Sequence, residues 1–363
     1  MTKFAGLAKP HQPDWQGLVD NILRKGTPDR VYHMELFHDW EVRNAIAERF
    51  GLLDGVSPDD PNYERKKLVA VNRFIGWDYV VAGVGVNFEH HRAAVADTAA
   101  LAKDGGRTYQ DEHTGPIMSW EDFEAFDWPD PNAPEAEADL EWFQENLPED
   151  MCIVGGLGGH FCEELSWLMG YETLCYALFD RRDLVEAIAK RLGEIFAVCQ
   201  RRTLAYDRVK MVWSSDDMGF KTGLLIGPDD MREFVLANHK ALAAEAHEAG
   251  RPYLLHACGN LHDIIDDLTD DVRVDAKHSF EDTIEDVRDL KKTYGRRTAL
   301  LGGIDVDFLC RADEAAIRQR VRDTLDVCQP GGGYCLGTGN SVANYVPLES
   351  YLAMVDEGRL YGG

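Results

Sequence analysis

Eight apolar, β-rich runs alternate with long amphipathic stretches, and this alternation limits the chain to very few folds. The runs are RVYHMELF (30–37), WDYVVAGVGV (77–86), MCIVGGLGG (151–159), VKMVWSS (209–215), PYLLHACG (252–259), VRVDAKHS (272–279), TALLGGID (298–305) and GGYCLGTG (332–339). Several are near-continuous in Val, Leu, Ile and Met, the pattern of strands buried on both faces. Between them lie helical patterns such as RRDLVEAIAKRLGEIFAVCQRRTLAY and PDDMREFVLANHKALAAEAHEAG, the second opening on Pro228 and stopping at Gly250. Eight strands in β–α alternation predict an α/β protein, a single (β/α)8 TIM barrel, with one domain spanning residues 1–363. A doubly wound open sheet is the alternative, weakened because GGLGGHF (155–161) does not match the GxGxxG spacing. The one shift in composition is an acidic, Pro-rich segment near residues 104–150, read as a surface excursion over one end of the barrel.

Charge narrows the partners. With 38 basic against 64 acidic residues, the net charge of −26 repels nucleic-acid backbones and anionic lipid. No stretch reaches the roughly 18 apolar residues of a membrane span, and the N-terminus has no secretory h-region. The eight cysteines are scattered without paired short spacings, unlike a secreted disulfide scaffold. Together these features predict a cytoplasmic protein with reduced thiols, acting on a small molecule, with neither nucleic acid nor membrane as partner.

In a parallel barrel, chemistry gathers at the C-terminal strand ends. Here those ends carry His33, Glu35 and His38, then Asn87 and Glu89, then His160 with Glu163 and Glu164. Asp216 and Asp217 follow the fourth run, His256, Cys258 and Asn260 the fifth. His278, Asp305, Cys335, Thr338 and Asn340 complete the ring. Any single member reads better as a strand-closing or helix-capping polar residue; the set does not. The sharpest element is His256-Ala257-Cys258, because alternate strand residues share a face and bring imidazole and thiolate to one point. That pair suits zinc, with Cys335 the most attractive third donor. The bland alternative is a strand-end His beside a buried, inert Cys. No GxSxG elbow, Walker loop or HExxH motif is present.

The stretch from WSSDDMGF (213–220) through GPDDMREF, LLHACGNLHDII, DAKHSFED, LLGGIDVDFL and GGGYCLGTGNSVANYVPLESYLAM resembles the uroporphyrinogen decarboxylase-like superfamily. The resemblance is strong over roughly 200–356 and fainter through EELSWLMGYE (163–172). It implies a TIM barrel and one of two chemistries: porphyrinogen decarboxylation, or zinc-dependent methyl transfer with a corrinoid carried by a partner protein. The decarboxylases meet their polycarboxylate with an arginine-rich first strand-loop, whereas this chain has HMELFHDW; Asn87 stands near their Asp, and Gly337-Thr338-Gly339 replaces their Gly-His-Gly. The methyltransferase branch is closer: His256 and Cys258 match its His-x-Cys, although its later Cys lies in a Gly-Cys-Gly turn, three residues beyond Cys335.

The resemblance therefore implies a methyltransferase moving a methyl group between a small methylated substrate or thiol and a cobalt corrinoid, with O-demethylation among its reactions. His256, Cys258 and Cys335 would hold zinc, with Glu35, His33 or Asp305 as substitute ligands. Asp216, Asp217, His33 and Glu35 are the candidate catalytic groups, and Asn87, His160, His278 and Asn340 the candidate substrate-binding groups. The alternative is a decarboxylase of this type acting on a smaller acid without metal.

Overall fold

The computed structural model describes residues 3–99, 101, 102 and 107–362. Seven of the eight expected runs form one parallel sheet: β1 (Tyr79–Val81), β2 (Cys152–Gly158), β3 (Val209–Asp217), β4 (Tyr253–Cys258), β5 (Ala276–His278), β6 (Ala299–Leu301) and β7 (Tyr334–Cys335). Spatial order follows chain order, and every pairing is parallel. Helices fill the connections, the longest being Arg182–Leu204 and Leu348–Tyr361.

The first run, 30–37, forms no ladder strand. It touches β7 through the parallel bridge His33↔Leu336 and the Met34 N–H···O=C Leu336 and Leu336 N–H···O=C Tyr32 bonds. On its other side, the Glu35 N–H donates to the Tyr79 hydroxyl, which donates back to the Glu35 carbonyl. A side-chain hydroxyl takes the place of a backbone ladder there, so the sheet curls as a TIM-like barrel without closing fully.

Alternation along the strands sorts the core into two layers. Met211 and Trp213 on β3 and Leu254 on β4 belong to the interior cluster, while Val212, Tyr253, Leu255 and Ala257 pack outward against the helices. The excursion differs from expectation. Residues 104–106 lie outside the described set; the rest supplies Ile117, Leu140 and Phe143 to the outer core, all essentially buried. Leu140 and Phe143 lie three apart on the helix Ala138–Asn146, which turns both to one face, so part of this acidic segment is built into the barrel wall. Among the described residues no helix is long and apolar enough to cross a membrane.

Candidate metal centre

Register and alternation together build the site. Asp217, the last residue of β3, pairs with Cys258, the last of β4; Ser215 pairs with His256, and His256 with His278 on β5. In-register residues of neighbouring parallel strands share a face, so Asp217, Cys258, His256 and His278 all turn into the barrel beyond Trp213 and Leu254. His256 Nε2 lies 3.1 Å from Cys258 Sγ. One ligand atom each from Asp217, His256 and Cys258 lie within 4.8 Å of one another. The chain must turn at once after Cys258: Gly259 has φ +90°, and a Cβ there would sit 2.0 Å from the Gly219 carbonyl oxygen. Only glycine fits, which accounts for the residue following His-Ala-Cys.

Proton placement favours a cation. His256 Nδ1 and His278 Nδ1 are 2.7 Å apart, so one of them donates and the other accepts. Burial lowers the pKa of both rings, His278 to about 3, and the neighbouring Lys277 adds to the effect; both imidazoles are neutral. The Thr338 carbonyl opposes the lowering at His278, although no well-formed hydrogen bond reaches its Nε2. That carbonyl attracts the His278 proton to Nε2, leaving His278 Nδ1 to accept from His256 Nδ1–H. The His256 Nε2 lone pair then faces the Cys258 sulfur, the tautomer a metal ligand requires. Asn340 Nδ2 (3.5 Å) and Ser279 Oγ (3.6 Å) both donate toward Cys258 Sγ. Burial first, and then the charge of Asp217, push the thiol far above its ordinary range. One nitrogen, one sulfur and one oxygen donor match zinc's preferences and leave a position free.

Several expected site residues lie elsewhere. Cys335 does not join the cluster: it precedes Thr338 by three residues, about 10 Å of strand, and its buried thiol accepts from Asn21 Nδ2 at 3.4 Å. Asn340, beyond the turn, reaches the sulfur instead. Asp216 faces away from Asp217, as adjacent strand residues must. Its carboxylate accepts from the Cys162 and Glu163 N–H groups, both at 2.9 Å, and pairs with His239 at 3.1 Å, so it anchors the helix Phe161–Met169. Glu35 is buried against Thr338, and burial lifts its pKa to about 8. The Thr338 hydroxyl lies 2.6 Å from Glu35 Oε2 and also contacts the Asn340 carbonyl. A carbonyl only accepts, so the single hydroxyl proton goes there and Glu35 must donate, as a neutral acid. His33 is buried beneath the C-terminal helix at Gly358, because its strand position turns it outward. Asp305 caps the helix Val306–Arg311 through the Phe308 N–H at 2.8 Å.

Asn87 and His160 meet in a neighbouring cavity of about 440 Å³ at the C-terminal ends of β1 and β2, walled by Phe88, Trp167 and Phe196. His160 Nδ1 pairs with Glu163 at 2.7 Å, and His90 with Glu164 at 2.7 Å. Burial raises the Glu163 pKa to about 7, with His160 opposing. Ser279, and Asp217 as a third metal donor, escaped the sequence reading. The alternation Trp213, Ser215, Asp217 was the signal that would have separated Asp217 from Asp216.

The fold and this strand-end cluster define a TIM-like barrel with its polar site at the C-terminal mouth. The uroporphyrinogen decarboxylase (URO-D) family model matches residues 111–361, and the chain belongs to that family. A uroporphyrinogen decarboxylase from Cupriavidus pinatubonensis is 38% identical over 74 residues, a stretch covering about a fifth of each protein. A solved methyltransferase from Methanosarcina mazei has the same fold, with TM-score 0.65 and 17% identity over 96% of this chain and 98% of its own.

Proposed function

We propose that this chain is the zinc-dependent methyltransferase component of a cytoplasmic corrinoid system, moving a methyl group between a small methylated substrate or thiol and a cobalt corrinoid on a partner protein. The convergence of Asp217, His256 and Cys258 at the barrel mouth carries the reading. These three would hold zinc, which when bound would act as a Lewis acid on a methyl donor's heteroatom or on an acceptor thiol. His278 keeps the His256 Nε2 lone pair turned toward the centre, and Asn340 and Ser279 hold the Cys258 sulfur in place. The cavity containing Asn87 and His160 would take the body of the substrate against Phe88, Trp167 and Phe196. Glu163, with a pKa near neutrality, stands behind the cavity-lining His160 and can exchange a proton with it.

Decarboxylation of a polycarboxylate is disfavoured by the missing arginines of HMELFHDW. Repulsion by Glu35 adds nothing to that case, since the side chain is neutral and buried. The test pairs metal analysis with two assays. Purified protein should hold one zinc, lost in Cys258→Ala, and should methylate reduced cobalamin from a member of a panel of methoxylated aromatics, methylamines and methyl thioethers. Enzymatic conversion of uroporphyrinogen to coproporphyrinogen, or full zinc occupancy in Cys258→Ala, would overturn the proposal.

A further inference from the structure

At the opposite end of the barrel, Arg24, Lys291, Lys292 and Arg296 line a cavity of about 500 Å³ with Gly331 and Gly332, and no carboxylate lines it. It lies at the N-terminal ends of β6 and β7, beside the helix Val287–Tyr294, and so stands apart from the mouth that holds Cys258. Four cations around one hollow are unexpected in a chain of net charge −26.

Their existing partners leave the charge largely uncompensated. Arg24 donates to the carbonyls of Ile22 and Asp275, both at 3.2 Å. Lys291 donates to the carbonyls of Gly332 and Gly333. Lys292 has only an exposed pairing with Asp289, of a kind worth little in water. Arg296 makes no ion pair among the described residues. The Asp275 carboxylate, whose charge Arg24 feels, is committed to the Tyr253 N–H and His247, both at 2.8 Å. Burial lowers the pKa of Arg24 and of Lys291, and Arg24 lowers Lys291 further. Arg24 also has φ +57°, the left-handed turn that ends the helix Trp15–Ile22, with the Lys25 N–H bonding back to the Asp20 carbonyl.

We propose that this hollow is a binding site for a small polyanion, bearing phosphate or several carboxylates. The four side chains would supply the charge-assisted hydrogen bonds such a ligand needs, and the surrounding acidic surface would confine it to this one place. A nucleic acid is excluded by that same surface. The site is independent of the methyl-transfer reading, because its readout is binding and not turnover.

Isothermal titration calorimetry on the full chain, in chloride buffer at low ionic strength, tests it with inorganic phosphate, a sugar bisphosphate and tricarballylate in separate arms. One site per chain is expected for at least one probe. The phosphate and carboxylate arms distinguish which oxyanion it takes. The exposed substitutions Arg296→Glu and Lys292→Glu should each weaken binding at least about tenfold, while Arg191→Glu, on a distant helix, should leave it unchanged. Absence of saturable heat from all three probes at 10 mM (about the weakest affinity of interest), or binding that survives both reversals, would overturn the proposal.

Discussion

Glu35 offers a quantitative test of the reasoning about burial and protons. A buried carboxyl raised from 4.5 to about 8 represents about 5 kcal/mol of preference for the neutral form. Between those pH values the folded chain retains a proton that the unfolded chain releases. Below 4.5 both states are protonated and Glu35 costs nothing; above 8 both have lost the proton and the full cost applies. Stability should therefore fall by up to about 1.4 kcal/mol per pH unit through the window. Buried neutral histidines act oppositely: His33, His38 and His278, lowered to about 3, gain stability as pH rises toward 6.5. Glu35→Gln isolates the carboxyl, because the amide donates to Thr338 Oγ1 and accepts from the Thr338 N–H as the acid does. Urea unfolding of both proteins at pH 5.5, 6.5 and 7.5 should show the variant gaining on the parent by about 2.5 kcal/mol over that range. A difference that stays flat, or that shrinks as pH rises, would refute a neutral Glu35.

Two further substitutions separate the faces of the barrel strands. His278→Ala removes the acceptor for His256 Nδ1–H, and zinc affinity, measured by competition with a chromophoric chelator, should fall about 10–100-fold; unchanged affinity would contradict the assigned tautomer. Asp216→Ala strips the partners from the Cys162 and Glu163 N–H groups and from His239, costing about 3–5 kcal/mol in urea unfolding. Its zinc stoichiometry should nevertheless match the parent's, and a metal-free variant would show that Asp216 belongs to the centre after all.

Where the sequence was informative, and where it was not, follows from the range of the interactions involved. Buried parallel strands announce themselves as apolar runs, so seven of the eight expected runs appear in the sheet. The eighth, 30–37, is equally apolar, but its pairing is set by a tyrosine hydroxyl and a few backbone bonds, which no local pattern encodes. The His256–Cys258 pairing was legible because both residues sit on one strand. Its partners depend on register between strands, which explains why Asp217 was not tied to Cys258 and why Cys335 was expected three residues too close to the mouth. Helix packing hid the burial of Leu140 and Phe143 inside an acidic segment, since charge dominates composition while two apolar residues decide the face.

The open seam beside segment 30–37 also sets a schedule for the chain. Glu35 and Thr338, which join that segment to the end of β7 on its other side, are 303 residues apart in sequence. Every other neighbour in the sheet is the next strand along, so most of the barrel can assemble in the order in which it is made. At synthesis rates of about 5–20 residues per second, segment 30–37 waits roughly 15–60 s for its partner strand. Throughout that interval Val31, Met34 and Leu36, buried in the finished fold, lack the β7 strand that pairs with their segment. The piece of barrel made first is the last to be enclosed, so it needs shelter for as long as the rest of the chain takes to emerge.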